Sequence, residues 1–408
     1  MQNIIFHIDV NSAFLSWSAT HMLENGYPTD IREIPSIIGG DQASRHGIVL
    51  AKSVPAKVYG IVTGEPIVNA KRKCPNLAVY PSNHNLYKEK SKALMSYLKT
   101  LTFDIEQVSI DECFLFFSPI AANYTSPIAA ATEIKDTIYQ KFGFTVNIGI
   151  SDKKVLAKMA SDFKKPNLVH TLYKWEIQEK MWPLPISDLF GCGKASVETL
   201  KKLDINTIGD LANCNPEVLK AHLKSHGYTL WQYANGIDNS TVEPMQAAAK
   251  GIGASHTLSK DASTKEEAYR LLLSLSDEVS ERLRKKQVFA SMVSTEIKYS
   301  DFRQVSHQCS LTEPTNTGIS IYHTACSLFD EIWDQTPVRL LGIRTSKLID
   351  TSEPTQLSLF DFMNAQENAN PDVINRSLEK QENLEKALDK IREKYGKHAI
   401  VRGSNLQK

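Results

Sequence analysis

The sequence gives little support to either of the chemistries that paired cysteines serve. Its six cysteines, at 74, 113, 192, 214, 309 and 326, are scattered along 408 residues and form no C-x-x-C pair. A zinc knuckle and a disulfide framework are both excluded as organising devices, and the thiols read as core residues. No apolar run approaches the roughly 18 residues that a membrane-spanning helix needs. The start, MQNIIFHIDV, lacks the basic opening, apolar stretch and small-residue cleavage site of a signal peptide. The expectation is a cytoplasmic protein without a membrane partner. An excess of one charge is missing too: 47 Lys and Arg face 46 Asp and Glu, a formal net charge of +1. Bulk electrostatics therefore announces no nucleic-acid partner, and only local patches could.

What is present is an ordinary globular composition, with 42% hydrophobic and 23% charged residues, in a chain too long for one core. Two to four domains are expected. IIFHIDV, residues 4–10, reads as an interior strand ending in an acid. Near-helical spacing of Leu86, Lys90, Leu94, Tyr97, Leu98 and Leu101 predicts a helix over 86–101, which runs into IEQVSIDECFLFF, a strand-like stretch over 105–117. A second amphipathic helix is predicted over about 128–142, before the strand FTVNIGIS. Strand, helix, strand, helix, strand suggests an α/β layer with helices on one face.

After about residue 172 the text turns helical and polar, and from about 248 to 348 a separate α+β block alternates helix-like with strand-like segments. Beyond it TSEPTQLSLFDFMNAQENANPD has the composition of a linker or tail. Leu384, Leu388, Ile391 and Tyr395 then mark a final short helix that Gly396 would stop.

Three carboxylates stand out. Asp9 ends one predicted strand, and Asp111 with Glu112 interrupts another about a hundred residues later. If the two strands pair, the acids meet at one sheet edge, where mutual repulsion and lost hydration are relieved by a bound cation or a raised pKa. Oxygen ligands of this kind suit Mg²⁺, and two such ions make a phosphoryl-transfer site. Neighbours on a flat strand point to opposite faces, so both acids can serve one site only if the backbone bends there. Two solvated acids at a turn is the other reading of the SIDE tetrapeptide taken alone.

IDVNSAF at 8–14, SIDECF at 109–114, GISDKKVLAKMASDFKKPN at 149–167 and LFGCGKASVETLKKLDINTIGDL at 189–211 resemble, in order and spacing, the motifs of the Y-family translesion DNA polymerases, most of all the bacterial polymerase IV and V branch. The resemblance covers about residues 1–350. It implies a multidomain α/β and α+β right-hand polymerase with a ferredoxin-like palm (1–12 and 83–172), small fingers (13–82), a helical thumb with a helix-hairpin-helix (173–240), a linker (241–247), an α+β little finger (248–348) and a tail (349–408). It implies template-directed addition of deoxynucleotides to a primer on primer–template DNA, with lesion bypass and low fidelity, by a monomer with two Mg²⁺ ions.

Carried over residue by residue, the resemblance makes Asp9, Asp111 and Glu112 the catalytic metal ligands, with Val10 lending a backbone carbonyl. Phe14 matches the steric gate against a 2′-hydroxyl, and backbone amides near Ala13 and Phe14 would meet the triphosphate. Lys165 matches a triphosphate-neutralising lysine. Lys57 falls where the family has arginine, keeping the charge but losing the planar fork. Val54 replaces a phosphate-binding tyrosine, leaving Lys52 or Lys57 to substitute. Ile48 and Leu50 replace small residues that roof the templating base, which implies less room for bulky adducts.

Gly191, Gly193 and Lys194 match the helix-hairpin-helix that grips a DNA phosphate, and ERLRKK at 281–286 with Lys298 and Arg303 matches a basic little-finger patch. Gln356, Leu357, Leu359 and Phe360, in QLSLF, resemble the peptide by which bacterial polymerases bind the sliding clamp. The rivals are another two-metal palm, such as a nucleotidyl cyclase, and a catalytically weak paralogue that only occupies DNA and clamp.

Overall fold

The structure, a computed structural model, describes residues 3–40, 47–245, 248–350, 371–396 and 399–400, with backbone alone for 371–382. These fall into two compact units, one made of the described residues up to 245 and one of those from 248 onward.

In the first unit the order is β1 (Ile5–Val10), α1 (Ala13–Glu24), β2 (Ser36–Gly39), β3 (Val49–Lys52), α2 (Val54–Val58), α3 (Ile67–Lys73), β4 (Ala78–Pro81), α4 (His84–Leu98), β5 (Ile105–Gln107), β6 (Glu112–Phe116), α5 (Pro127–Phe142), β7 (Val146–Ser151), α6 (Lys154–Ser161) and β8 (Val169–Thr171). A helical block follows: α7 (Ile177–Lys180), α8 (Lys194–Lys201), α9 (Ile208–Asn213) and α10 (Pro216–Ala234). The helix boundaries follow local chemistry. Asn83 caps α4 by accepting from the Leu86 amide, and α5 begins with a Ser126 cap and Pro127 and ends where Gly143 turns left-handed at φ 71°.

The larger sheet has the order β5-β6-β1-β7-β8, with β1 central and antiparallel to both β6 and β7. Strand alternation then sorts the side chains of β1. Phe6, Ile8 and Val10 sink into a core with Leu94 and Leu98 of α4 and Ile134 and Ile138 of α5. Ile5, His7 and Asp9 face the other way, where α6 supplies Ala157, Ser161 and Lys158. The expectation of helices on one face holds for α4 and α5, and α6 adds a cover on the opposite face. The sequence had shown no long helical period there, because α6 has only 8 residues.

IEQVSIDECFLFF is not one strand. It is a hairpin: β5 and β6 pair through Ile105↔Leu115 and Gln107↔Cys113, and the amides of Val108 and Ser109 bond back to the Glu112 carbonyl. The bend leaves Asp111 on the turn and Glu112 as the first residue of β6, which removes the flat-strand objection to two adjacent acids.

A smaller sheet, β3-β2-β4, carries α2 and α3 over a core of Ile37, Val49, Ile61 and Ile67. The helical block α7–α10 shares a core with the far side of α6, through Val155, Leu156, Met159 and Ala160. The segment after α10 turns back onto the larger sheet. Asp238 accepts from the Val155 amide at 2.9 Å, Lys154 reaches the Thr241 carbonyl at 3.1 Å, and Glu106 takes the Glu243 amide at 2.8 Å.

The second unit comprises β9 (Gly251–Ala262), α11 (Lys265–Lys285), β10 (Val288–Tyr299), β11 (Gln304–Thr315), α12 (Gly318–Ile332), β12 (Val338–Asp350) and α13 (Pro371–Tyr395). Its antiparallel sheet runs β11-β10-β12-β9, and α11 and α12 share its core through Leu272, Val279, Leu283, Ala325 and Phe329. The final helix spans 25 residues and is held by its acids rather than by the leucines that marked it: Leu384 is 61% exposed while Glu385 is 7%. Gly396, at φ 94°, follows its last residue as expected. The four candidate clamp-binding residues, Gln356, Leu357, Leu359 and Phe360, lie outside the described residues.

Candidate active site

Register alone brings Asp9 opposite Glu112, since the pairing of β1 with β6 ends on that couple. Both carboxylates leave the sheet on the α6 face, as does His7, and the three offer ligand atoms within 4.8 Å of one another. Asp111 approaches from the turn. Its carbonyl accepts from the Val10 amide at 3.0 Å, and its carboxylate accepts from the Ser109 hydroxyl at 2.6 Å. The structure thus gathers Asp9 and Glu112 tightly, ties Asp111 to the end of β1 through the backbone, and leaves the Val10 side chain buried, so that residue can contribute only main-chain atoms.

Two lysines neutralise the acids. Lys158 Nζ lies 2.6 Å from Glu112 Oε2 and 3.4 Å from Asp9 Oδ2, and Lys165 Nζ lies 3.0 Å from Asp9 Oδ2 and 2.9 Å from Asp162 Oδ1. The carboxyl of Glu112 is pulled down to about 2, by the His7 ring first and by the Lys158 ammonium next, against the opposing effect of burial. Burial works against the charge of Lys158, yet Glu112, Asp9 and Asp162 together hold its ammonium up to about 12. Neutral imidazole is favoured at His7, where desolvation lowers the pKa. Its Nδ1 meets the Ser161 hydroxyl at 2.8 Å, while Nε2 points at Glu112 Oε2 from 3.5 Å, long for a hydrogen bond, and is otherwise unpartnered.

This donor set fits a divalent metal ion. Two carboxylates and a ring nitrogen converge on a position that a cationic ammonium now neutralises, and oxygen-rich ligation is what Mg²⁺ or Mn²⁺ takes.

Neither His7 nor Lys158 was assigned a role from sequence, and both left a signal. His7 stands two residues before Asp9 and so shares its face of the strand. Lys158 stands one helical turn before Asp162 and four residues after Lys154, on the face of α6 that meets the sheet. A third omission explains Lys165. Asn11 and Asn147, both buried, bond to each other at 3.2 Å; Asn11 accepts the Asn167 amide at 3.0 Å, and Asn147 donates to the Lys164 carbonyl at 3.0 Å. The KKPN loop is thereby hung beside Asp9.

Ser12, at φ 47°, turns the chain from β1 into α1, so that the amides of Ala13 and Phe14 open the helix where no preceding turn can accept from them. Phe14 is half-buried and stacks on Tyr87, with ring centroids 4.4 Å apart and planes 9° from parallel. Leu50 packs on the same small cluster as Phe14, whereas Ile48 is exposed. Val54 and Lys57 lie exposed on α2, and Lys52 is turned inward, donating to the Ile61 carbonyl at 2.6 Å. Of the lysines offered as substitutes for the missing tyrosine, Lys52 is engaged and Lys57 has no side-chain partner among the described residues.

Gly191, at φ 84°, makes the tight turn before α8, and Gly193 opens that helix with open space beside its Cα and no side-chain cap. Lys194 is the first helical residue. In the second unit Arg284 of the basic run is buried against Glu385 and Asp389, Arg282 pairs with Glu278, and Lys285 pairs with Glu281. Arg284 alone is withdrawn from the surface, by acids of α13, while Arg282 and Lys285 stay exposed with partners one helical turn away.

Comparison with known proteins bears on what this site does. The impB/mucB/samB family model matches residues 8–162, and the model of that family's C-terminal domain matches residues 249–359. DNA polymerase IV of Clostridium acetobutylicum is 44% identical over 408 residues, covering 100% of this chain and 99% of that protein. DNA polymerase IV 1 of Bacillus subtilis is 36% identical over 408 residues, covering 99% of this chain and 94% of its own length. A solved Y-family DNA polymerase chimera shares the fold at a TM-score of 0.74, with 21% identity over 85% of this chain and 99% of that one. The chain belongs to the impB/mucB/samB family, that of the Y-family DNA polymerases.

Proposed function

We propose that this enzyme, a DNA-directed DNA polymerase of the translesion type, extends a primer 3′-hydroxyl at the site formed by Asp9, Asp111 and Glu112, with primer–template DNA and deoxynucleoside triphosphates as substrates. The observation that carries the assignment is the Asp9↔Glu112 register, which sets two carboxylates side by side with Asp111 at the adjoining turn. Asp9, Asp111 and Glu112, with the Val10 carbonyl, would hold two Mg²⁺ ions, whose chemistry when bound is to lower the pKa of the primer hydroxyl and to stabilise charge on the triphosphate and departing pyrophosphate.

The chain's own residues do the rest. Lys165, and Lys158 once freed from the carboxylates, neutralise phosphate oxygens, and the amides of Ala13 and Phe14 donate to them. Lys57 adds charge from α2 without a fork. Phe14, held flat by Tyr87, excludes a ribose 2′-hydroxyl. Ser161 fixes the His7 ring, whose Nε2 faces Glu112. Gly191, Gly193 and Lys194 take a backbone phosphate of the duplex without reading its sequence.

The domain boundaries given above, a monomeric state, residence in the cytoplasm and tethering to a sliding clamp through Gln356, Leu357, Leu359 and Phe360 complete the reading. Among the described residues no helix is long and apolar enough to cross a membrane. The test is primer extension with Mg²⁺ on undamaged and lesion-bearing templates, comparing the parent with Asp111→Asn. Loss of extension with intact DNA binding supports the assignment, and unchanged extension refutes it.

A further inference from the structure

Beside the turn that carries Asp111 lies a groove of about 520 Å³ between α4 and the β5–β6 hairpin. Lys88, Lys92 and Lys99 line it. At 100° per residue these three positions fall within about 40° of one another on α4, a single stripe about 16 Å long. All three are exposed, and none has a hydrogen bond or ion pair with another described residue. The rest of the lining is neutral, with Ser91, Ser96, Gln107 and Ser109 among it, and no carboxylate belongs to it. In a chain whose acids and bases balance almost one for one, three unpaired cations without a lining anion form a built-in positive potential.

We propose that this groove is a binding site for the sugar–phosphate backbone of the primer strand, just upstream of its 3′ end. The inference rests on the polymerase reading above, and geometry favours that strand. The groove wall is Val108–Ile110, which leads directly into Asp111 and Glu112, so whichever strand ends at the carboxylates has its last phosphates within reach of this wall. The complementary backbone lies across the duplex. A lysine stripe of this length matches several successive phosphates of one strand, and point-charge ammonium groups hold a backbone without selecting its sequence.

The experiment compares the full chain with the triple variant Lys88→Ala/Lys92→Ala/Lys99→Ala. Fluorescence anisotropy on primer–template DNA is measured across a salt series, alongside steady-state extension. The expected result is binding at least about tenfold weaker at low salt, with the slope of log affinity against log salt reduced by about 2 to 3, and a raised KM for DNA with kcat unchanged. A benzophenone side chain at Ser96 should cross-link to labelled primer. Affinity and slope within twofold of the parent, or cross-linking only to the template strand, would overturn the groove assignment while leaving the polymerase reading intact. Failure of the parent itself to bind and extend primer–template would overturn both. If the triple variant binds DNA as the parent does but loses affinity for free nucleotide, the groove holds triphosphate instead, and the proposal fails.

Discussion

Two clusters of opposite charge, one in each unit, use the same chemistry to different ends. In the second unit the side chains of Arg284 and Glu385 are both buried against each other. Arg284 also holds both oxygens of Asp389 and the Asn316 carbonyl, and Glu385 accepts the first amide of α12 at 2.9 Å. Such a closed network fastens α13 to the body. In the first unit Lys158 and Lys165 cover Asp9 and Glu112, but Lys165 and Asp162 are 30% and 43% exposed, so the cluster reaches solvent. Saturated, buried pairing gives structure, whereas accessible pairing in which a mobile ammonium stands in for another cation leaves room for exchange.

That contrast can be broken most sharply at the palm acids. Asp9→Asn or Glu112→Gln should cut Mg²⁺-dependent extension by about 10³-fold, the equivalent of about 4 kcal/mol in the barrier, and the melting temperature of Asp9→Asn should be little changed. Activity near that of the parent would mean that the open cluster is structural after all.

The converse substitution, Glu385→Ala, should lower the stability of the second unit by about 3–5 kcal/mol, because it strands Arg284 in a buried position and uncaps α12. Urea denaturation followed by signals from Trp333 would read it. A change below about 1 kcal/mol would make the closed cluster dispensable.

A smaller effect is expected from Lys158→Met. Removing the ammonium that lies between Asp9 and Glu112 eliminates a competitor for the cation, so Mg²⁺ should bind about 3- to 10-fold more tightly in the absence of DNA, as titration calorimetry can measure. Weaker Mg²⁺ binding would show that the lysine assists the ion.

The smallest expected effect is on pH. Glu112 titrates at about 2 in the folded chain against an ordinary value near 4.5, so its ionised form stabilises the fold. The contribution is complete above the ordinary carboxylate range and is lost as pH falls from there toward 2. Without divalent ions, the stability gap between parent and Glu112→Gln should therefore be widest above pH 5 and close on acidification. A gap independent of pH would remove His7 and Lys158 as the cause.

Much of this was legible beforehand. The runs around Asp9 and around Asp111 and Glu112 were visible as acids set into strand-like text, and the helices over 86–101 and 128–142 were found within a few residues, at 84–98 and 127–142. The hairpin inside IEQVSIDECFLFF was not, since Val108, Ser109 and Ile110 carry neither Gly nor Pro to mark a turn. The grasp of α13 was missed because its Leu384, Leu388, Ile391 and Tyr395 spacing advertises an apolar face, while the contact is made by Glu385 and Asp389.

The sequence by itself determined the identity of the reactive groups and the family they belong to, because residue type and short-range spacing are properties of the chain. Only the tertiary structure decided which groups act together. The pairing of β1 with β6 put Asp9 against Glu112 across about a hundred residues, α6 laid Lys158 between them, and the buried Asn11–Asn147 couple brought the KKPN loop to Asp9. The same packing withdrew Arg284 from a basic run that the sequence offered to DNA, and left Lys88 and Lys92 of α4 and Lys99 at its end without a partner among the described residues beside the catalytic turn. The physical reason is that charge is read by its surroundings: a lysine in solvent, a lysine between two carboxylates and an arginine sealed under a helix differ in what surrounds them, and packing alone sets that.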